Sequence, residues 1–434
     1  MRAIFITCSD VSGMQRRRFI TAATAAAGMG LLAGCTGGDG DAAGADPLTI
    51  GVLVPFSGDY AWVGANVLPA VQMVAEQVNE AGGIGGRQLR VVQGDTEALP
   101  DASLSATQQL ISVEEVAGII GPTSLTYSAV ADLFVENGVP TVTPTAGTTT
   151  LDTQGGEYVY RTVPSDSIGG RAIAAAAREE RINGVGSFGS MALMVGQREV
   201  YQSFKQPIGS SFTEFGGEVV SELDFRTGKA SYESEVQALT EAAPEITALV
   251  ASIEDSVKIM EAAYQAGYEG SWFLTQDQTN VDFLSQSEAV VTDGALGIQE
   301  APYEAAQADG RAAAFDAAIQ EYAGWEETRL FATNAYDAAN LLFLAMHKGQ
   351  VDNGAVDRAS TAANVRAVAS PDGTVVTDFD SGAAAISEGT AVDYRGLVGP
   401  IDFNEFGDIA APFSIRRAEG DRWVEAGRVR PADL

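Results

Sequence analysis

From Leu48 onward the chain alternates between two hydrophobic periods, and this alternation narrows it to one fold class. LTIGVLVPFSG is an apolar, β-rich run closed by turn residues, which predicts a strand. In AVQMVAEQVNEAGG, Val71, Val74, Ala75 and Val78 recur at helical spacing and Gly82-Gly83 end the pattern. RQLRVVQGD then reads as a strand, SLSATQQLIS as a helix, VAGIIGPTS as a strand entering a loop, YSAVADLFVENG as a helix and VPTVTPTAG as a strand and loop. A βαβαβαβ order predicts a parallel sheet with helices on both faces. The pattern restarts with AIAAAAREERI, SMALMVG, YQSFKQPIGSSFTEFGG, GEVVSELDF, SYESEVQALTEAA, ITALVAS, SVKIMEAAYQAGY and GSWFLTQD, alternating helix and strand. The expectation is an α/β protein of two doubly wound, Rossmann-like lobes, which also suits a chain too long for one small core. FATNAYDAANLLFLAMHKG is a further helix, with Ala335, Ala339, Leu342 and Met346 along one side. GPIDFNEFGDIAAPFSIRRAEGDRWVEAG reads as short strands and turns.

In open parallel sheets, ligands sit beyond the carboxyl ends of the strands. Those ends carry PFSGDYAW, GPTSLT and TPTAGTTT in the first unit, and VGQREVY, ASIED and TQDQTN in the second. If the lobes face each other, six loops meet in one cleft. They are poor in Lys and His and rich in hydroxyls, Gly, aromatics and acids. Such a lining suits a small polar or zwitterionic molecule.

The start of the chain has a different character. Arg16, Arg17 and Arg18 precede a short apolar body, Ile20 to Leu32, which stops at Cys35. A helix crossing a bilayer needs about 20 apolar residues, so this body is too short to span. A charged head, a short apolar body and small residues read as an export signal over 1–35. Arg16-Arg17 with Phe19 resembles a twin-arginine signal, and Leu32-Ala33-Gly34-Cys35 a lipobox with lipid on Cys35. Met14 competes with Met1 as the start. TGGDGDAAGAD, over 36–46, reads as a flexible tether. The expected location is the outer face of the cell membrane. Cys8 and Cys35 are the two cysteines, so a cleaved, lipidated chain has no disulfide. The net charge is −32 with four lysines, Lys205, Lys229, Lys258 and Lys348. An acidic surface repels nucleic acid and anionic lipid, and it resembles the proteins of salt-loving archaea.

The inventory argues against several chemistries. His347 is the one histidine and falls near a predicted helix end, where it reads as solvated or capping, so a histidine-activated nucleophile is not expected. No Cys/His cluster suggests a metal, and no cofactor is expected. Gly184-Val185-Gly186-Ser187-Phe188-Gly189 matches G-x-G-x-x-G, but it follows a helix and precedes a strand, the reverse of a dinucleotide site, so a connecting loop is expected. A Glu/Asp pair for glycoside hydrolysis is not removed by inventory, although no spacing favours one.

Taken in order, these loops resemble the type I periplasmic binding proteins of the branched-chain amino acid transport family. The resemblance rests on LTIGVLVPFSGDYAWVG, VNEAGGIGGRQLRVV, GIIGPTS, VPTVTPTAG, FGGEVVSE, AAYQAGYEG, NAYDAANLL and YRGLVGPIDFNEFGD. It implies a non-enzymatic, monomeric receptor that closes on a solute and delivers it to the permease subunits of an ATP-driven (ABC) importer. It also implies lobes joined by three crossovers, with 47–162 plus 299–395 as lobe 1 and 163–298 plus 396–434 as lobe 2. Ser124, or Leu125 beside it, would meet the ligand carboxylate. Thr145, Ala146 and Gly147 would bind the same carboxylate through N–H groups and a hydroxyl; Gly147 replaces a residue that often carries that hydroxyl, with Thr148 next to it. Asp277 would face the ligand ammonium, Trp62 with Tyr60 would cover the ligand, and Tyr201 stands beside Val200 where the family often has Tyr-Gly.

Each of these residues has a plainer reading. Ser124 and Thr145 also suit helix caps, Trp62 the lobe core, Asp277 a solvated loop, and Arg198 solvent. Branched-chain amino acids are the first expected ligands, ahead of amides, urea or aromatic acids. A ligand sensor feeding a membrane receptor, and a carboxylate-dependent anchored hydrolase, are the alternative functions.

Overall fold

A computed structural model describes residues 46–280 and 282–434. The expected signal, Cys35 and residues 36–45 of the tether lie outside these. The strands are β1 (Leu48–Val54), β2 (Leu89–Asp95), β3 (Gly118–Ile120), β4 (Thr141–Thr143), β5 (Val159–Arg161), β6 (Ser190–Gly196), β7 (Glu218–Phe225), β8 (Ile246–Val250), β9 (Ser271–Leu274), β10 (Leu296–Glu300), β11 (Thr374–Val376), β12 (Val392–Tyr394), β13 (Phe413–Glu419) and β14 (Arg422–Val429). They form two large sheets in the orders β2-β1-β3-β4-β5 and β14-β13-β10-β9-β8-β6-β7, with β11-β12 as a small pair. The first sheet is parallel throughout. The second is parallel from β10 to β7, but β13 joins β10 antiparallel and turns into β14. This hairpin resolves the tail that reads as short strands from sequence. β10 had no such signal, because its LGIQE carries a glycine and two polar residues.

Burial follows position in the sheet. Every residue of β1 is buried, as a central strand covered on both faces requires. β7 alternates exposed and half-buried positions until Phe225, as an edge strand does. The Ala332–Asn353 helix departs from the one-sided expectation. Leu341, Leu342, Phe343, Leu344, Ala345 and Met346 are all buried in succession. It lies between the Ala61–Glu80 helix and the Arg358–Val365 and Phe379–Ser387 helices, so it has no solvent face over that stretch. Its alanines, 335, 338, 339 and 345, allow that close packing.

The chain passes between the two sheets' cores three times. After β5, the Asp166–Arg178 helix joins the second core through Ala172 and Ile173, alongside Met191, Val195 and Ile298. After β10, Ala306, Phe315 and Ile319 return to the first core. Leu397, Val398, Ile401, Ile409 and Ala411 still belong to the first core, and Phe413 enters the second. The crossing region is pinned by Asp337, which is buried and accepts from Tyr394 Oη (2.9 Å), Leu397 N (3.0 Å) and Val398 N (2.8 Å). Burial raises its carboxyl to about 6 against those bonds. Gly396 is required there, since a Cβ would lie 2.3 Å from Asp337 Oδ2.

Two sequence expectations outside the site can be placed. Gly184 to Gly189 form the loop between the Glu180–Asn183 helix and β6, held by Asn183. His347 is not near a helix end. It lies within the Ala332–Asn353 helix, half-buried against Phe379, with Nε2 3.0 Å from Ser387 Oγ; burial lowers its pKa.

Candidate functional site

Each large sheet reverses its winding order once, between β1 and β3 and between β6 and β8, and the loops at these switch points face each other across a cavity of about 50 Å³. Its first wall begins after β1. Phe56 N donates to Asp95 Oδ1 (2.8 Å), and Gly64 lets the next helix begin tightly, since a Cβ would lie 2.5 Å from Pro55 O. This sets Tyr60 and Trp62 over the cavity, with Trp62 stacked on Phe331 at 6.1 Å. Phe331 has φ +68°, an uncommon backbone state for a bulky residue, at the start of the Ala332–Asn353 helix.

The rest of that wall is two interlocked loops. Gly121, at φ +126°, passes so close to β1 that a Cβ would lie 2.2 Å from Leu53 O. Pro122 O then accepts from Thr143 Oγ1 (2.6 Å) and Thr145 Oγ1 (3.2 Å). Thr143 Oγ1 in turn accepts from Thr145 N (3.2 Å) and Ala146 N (3.0 Å), and Ser124 Oγ accepts from Thr148 N (3.1 Å). The N–H groups of Thr145, Ala146 and Thr148 therefore have acceptors within the wall. Beneath the loop, fully buried Arg161 donates through Nη1 to the carbonyls of Gly147 and Thr148, both at 3.0 Å. Its Nη2 meets Asp152 Oδ1 at 2.5 Å, and its Nε lies 2.7 Å from Asp408 Oδ1. A guanidinium holding carbonyls from behind leaves the loop's outer face to the cavity.

The second wall carries charge. Asp166, at the start of the Asp166–Arg178 helix, is 3% exposed and accepts from Ser203 Oγ at 2.6 Å. Burial pushes its carboxyl up to about 7; Ser203 and Arg161 oppose this, while Asp152 and Asp277 add to it. Asp277, in the turn after β9, is also pushed to about 7 by burial, and the Arg198 guanidinium opposes that. Val200, Tyr201, Phe204, Val250, Thr275 and Gln276 complete this wall. The walls touch. Tyr60 and Tyr201 share a short hydroxyl–hydroxyl bond, and burial raises both phenols. Arg198 Nη2 donates across the gap to Ala98 O (3.0 Å), with its guanidinium 5.7 Å from the Tyr60 ring centroid.

Of the expected site residues, Tyr60, Trp62, Ser124, Leu125, Thr145, Gly147, Tyr201 and Asp277 line this cavity. Ala146 and Thr148 do not. Ala146 packs into the core beneath the wall, and Thr148 is 1% exposed and spends its N–H on Ser124. Arg198 is not left in solvent; the Ala98 carbonyl and the Tyr60 ring hold it at the gap. Asp166, Phe204 and Phe331 were missed. Asp166 has the signature of an ordinary acid in a helix's first turn, and Phe331 lies far along the chain from the loops it joins.

Two switch-point edges closing on a small cavity define a two-lobed solute-binding architecture. The chain belongs to the periplasmic binding protein family, whose pattern it matches over residues 47–419. It is 35% identical over 121 residues to a Leu/Ile/Val-binding protein homolog of Brucella melitensis, spanning 27% of this chain and 32% of that one. It is also 35% identical over 131 residues to BasB of Halobacterium salinarum, the substrate-binding protein of a chemotactic signal transduction system, spanning 28% and 31%. The alignments thus span about a third of these relatives. The crystal structure of the leucine-binding protein LivK from Thermotoga maritima superposes with a TM-score of 0.74 at 22% identity, covering 89% of this chain and 100% of that one. Among the described residues, no group of His, Cys, Asp and Glu is arranged to hold a metal, and no helix is long and apolar enough to cross a membrane.

Proposed function

We propose that the chain is the extracytoplasmic, non-enzymatic solute receptor of an ABC importer. It captures a small ammonium-bearing solute, with branched-chain amino acids as first candidates, and passes it to the permease as a closed complex. The observation that carries this reading is the position of Asp277. It is half-buried in the cavity wall among hydroxyl and apolar groups, and no donor among the described residues engages its carboxyl. A partly buried charge without a partner is costly, and a ligand ammonium would supply the missing partner. Trp62, Phe331, Val200, Phe204 and Val250 suit an aliphatic side chain.

In this reading the moving halves follow the sequence expectation, 47–162 with 299–395 and 163–298 with 396–434, except at the third crossing. The segment 397–411 packs in the first core and rides with the first half, which puts the third crossing near Pro412. A ligand touching both walls favours the closed state by its differential affinity for that state. Lipid on Cys35 and the 36–46 tether would hold the monomeric receptor near its permease, exported through the twin-arginine route and suited to high salt. A calorimetric screen of amino acids, amides and aromatic acids in concentrated KCl tests the reading. Stoichiometric binding without turnover, weakened in Asp277→Ala and Trp62→Ala, supports it. Binding unchanged in both variants rejects this cavity as the site.

The likeness to BasB favours a second reading, a sensor that presents its closed form to a membrane signalling receptor. Permease and ATPase genes beside this one would favour import; a lone receptor gene there would favour sensing.

A further inference from the structure

The cavity offers a solute two carboxyl groups, one more than the ammonium of a neutral zwitterion can answer. Its lining includes two carboxylates, Asp166 and Asp277, and no Lys, Arg or His. The nearest cations stand behind the lining, where Arg161 acts on Asp166 and Arg198 on Asp277. Arg161 is paired with Asp152 and Asp408, and Arg198 is bonded to Ala98 O over the Tyr60 ring. Glu300, at the end of β10, adds a third acid close enough to repel the other two. Neither of its buried oxygens meets a donor among the described residues. The remaining titratable groups facing Asp166 and Asp277 are the phenols of Tyr60 and Tyr201, which burial keeps protonated.

Asp166 occupies a particular place in this set. A Cβ on residue 147 would lie 2.2 Å from Asp166 Oδ1, so the missing side chain of Gly147 is what admits the carboxyl to that loop. Asp166 N also donates to Gly147 O at 2.7 Å. The acid therefore stands on the loop that an amino acid's own carboxylate would approach, and two ionised carboxylates cannot share that spot.

We infer that Asp166 makes the closed cleft accept its solute together with one added positive charge. The charge is either a second cationic group on the solute, as in a basic amino acid or small diamine, or a proton taken from solvent. In the second case the Asp166 carboxylate becomes a carboxyl, and its O–H donates to the carboxylate of a neutral amino acid. This rests on the solute-receptor reading above and specifies the charge class that its site takes.

Calorimetry of the whole receptor in two buffers of different ionisation enthalpy reads the proton directly, with leucine, isoleucine, lysine and putrescine as probes. At pH 8, neutral amino acids are expected to bind with uptake of about one proton each, and the dications and basic amino acids with none. From pH 7.5 to 8.5 the affinity of the wild-type chain for a neutral amino acid should fall about tenfold, while that for the cations stays level. Asp166→Asn should abolish the uptake and weaken the cations at least about tenfold relative to the neutral amino acids. The wild-type pH series needs no variant, so it stands even if Asp166→Asn fails to fold. Neutral amino acids binding at pH 8 with no proton taken up and a level pH series would overturn the inference and leave the receptor reading intact. No binding by any of these probes would overturn the inference, and the receptor reading falls with it only if the wider screen of amides and aromatic acids is also silent.

Discussion

The two walls of the cleft are built on opposite terms. The first is largely bonded within itself: most hydroxyls and N–H groups of its loops bond one another, Arg161 holds the carbonyls behind them, and the hydroxyls of Thr123 and Thr126 have no partner among the described residues. The second keeps two carboxyls in the cavity, one with a single serine donor and one with none among the described residues. The contrast separates shape from affinity. In the proposed reading the first wall is a template that a solute would find ready. In the same reading the second would gain stability when a solute brings a counter-charge, and would so supply the reason to close.

The strongest way to break this contrast is Arg161→Met. It leaves Asp152 and Asp408 beneath the loop without their cation, and losing one partner of a buried pair costs about 3–5 kcal/mol. Urea unfolding of the ligand-free protein should show that loss, and solute binding should fall with it because the template loosens. A variant as stable as wild type would mean that the network is not what holds the first wall.

The second wall should respond in the opposite sense. Asp277→Asn removes a charge that has no partner in the empty protein, so unliganded stability at pH 8 should hold or rise. Solute affinity should drop by about 1.5–3 kcal/mol, the value of a hydrogen bond to a charged group, roughly tenfold to a hundredfold. The pH dependence carries the same signature. A carboxyl at about 7 when folded and 3.8 when free binds its proton more tightly in the folded state. Its contribution to stability is therefore present at low pH and lost as pH rises from about 4 to about 7. The difference in unfolding free energy between wild type and Asp277→Asn should move against wild type across that window. A flat difference would place the carboxyl in solvent.

The same contrast explains what could be read from sequence. Strands such as β1 and β8 are mostly apolar, β-rich runs, and loops ending in Gly and hydroxyl residues mark the switch points, so the fold class and most of the first wall were legible. The second wall was only partly so. Asp277 was reachable through its loop, whereas Asp166 looks like any first-turn helix acid until the structure sets it against Gly147. Phe331 reaches the cleft only because its helix packs across the first sheet. The antiparallel edge at β13 escaped because pairing direction depends on how the chain returns, which no local period records.

Tyr201→Phe probes the one place where the walls join through matched groups. Its hydroxyl meets that of Tyr60 across the gap, and a net hydrogen bond contributes about 1 kcal/mol. Solute affinity should fall about fivefold, with little change in ligand-free stability if the bond forms only on closure. Tyr60→Phe should do the same, and the double variant should cost no more than either single one, since both remove the same bond.

The smallest expected effect makes the sharpest comparison, because two serine helix caps differ in where they stand and in what else the hydroxyl meets. Ser252 caps the Ile253–Gln265 helix by accepting from Asp255 N at 3.1 Å. Ser165 caps the Asp166–Arg178 helix by accepting from Ser167 N at 3.0 Å, and its hydroxyl also donates to Asp152 Oδ1 at 2.6 Å. Losing either cap costs about 1 kcal/mol. Ser165→Ala should cost more than Ser252→Ala, because it also strips a donor from the carboxylate that pairs with Arg161. Solute affinity decides whether that connection matters to function. Ser165 stands at the first crossing, between the Arg161 network and the helix that presents Asp166, so Ser165→Ala should weaken binding by a few-fold while Ser252→Ala leaves it unchanged. Equal losses of stability with no change in affinity for either variant would show that the first wall's internal bonding stops at the crossing, and that the second wall closes on the solute without help from it.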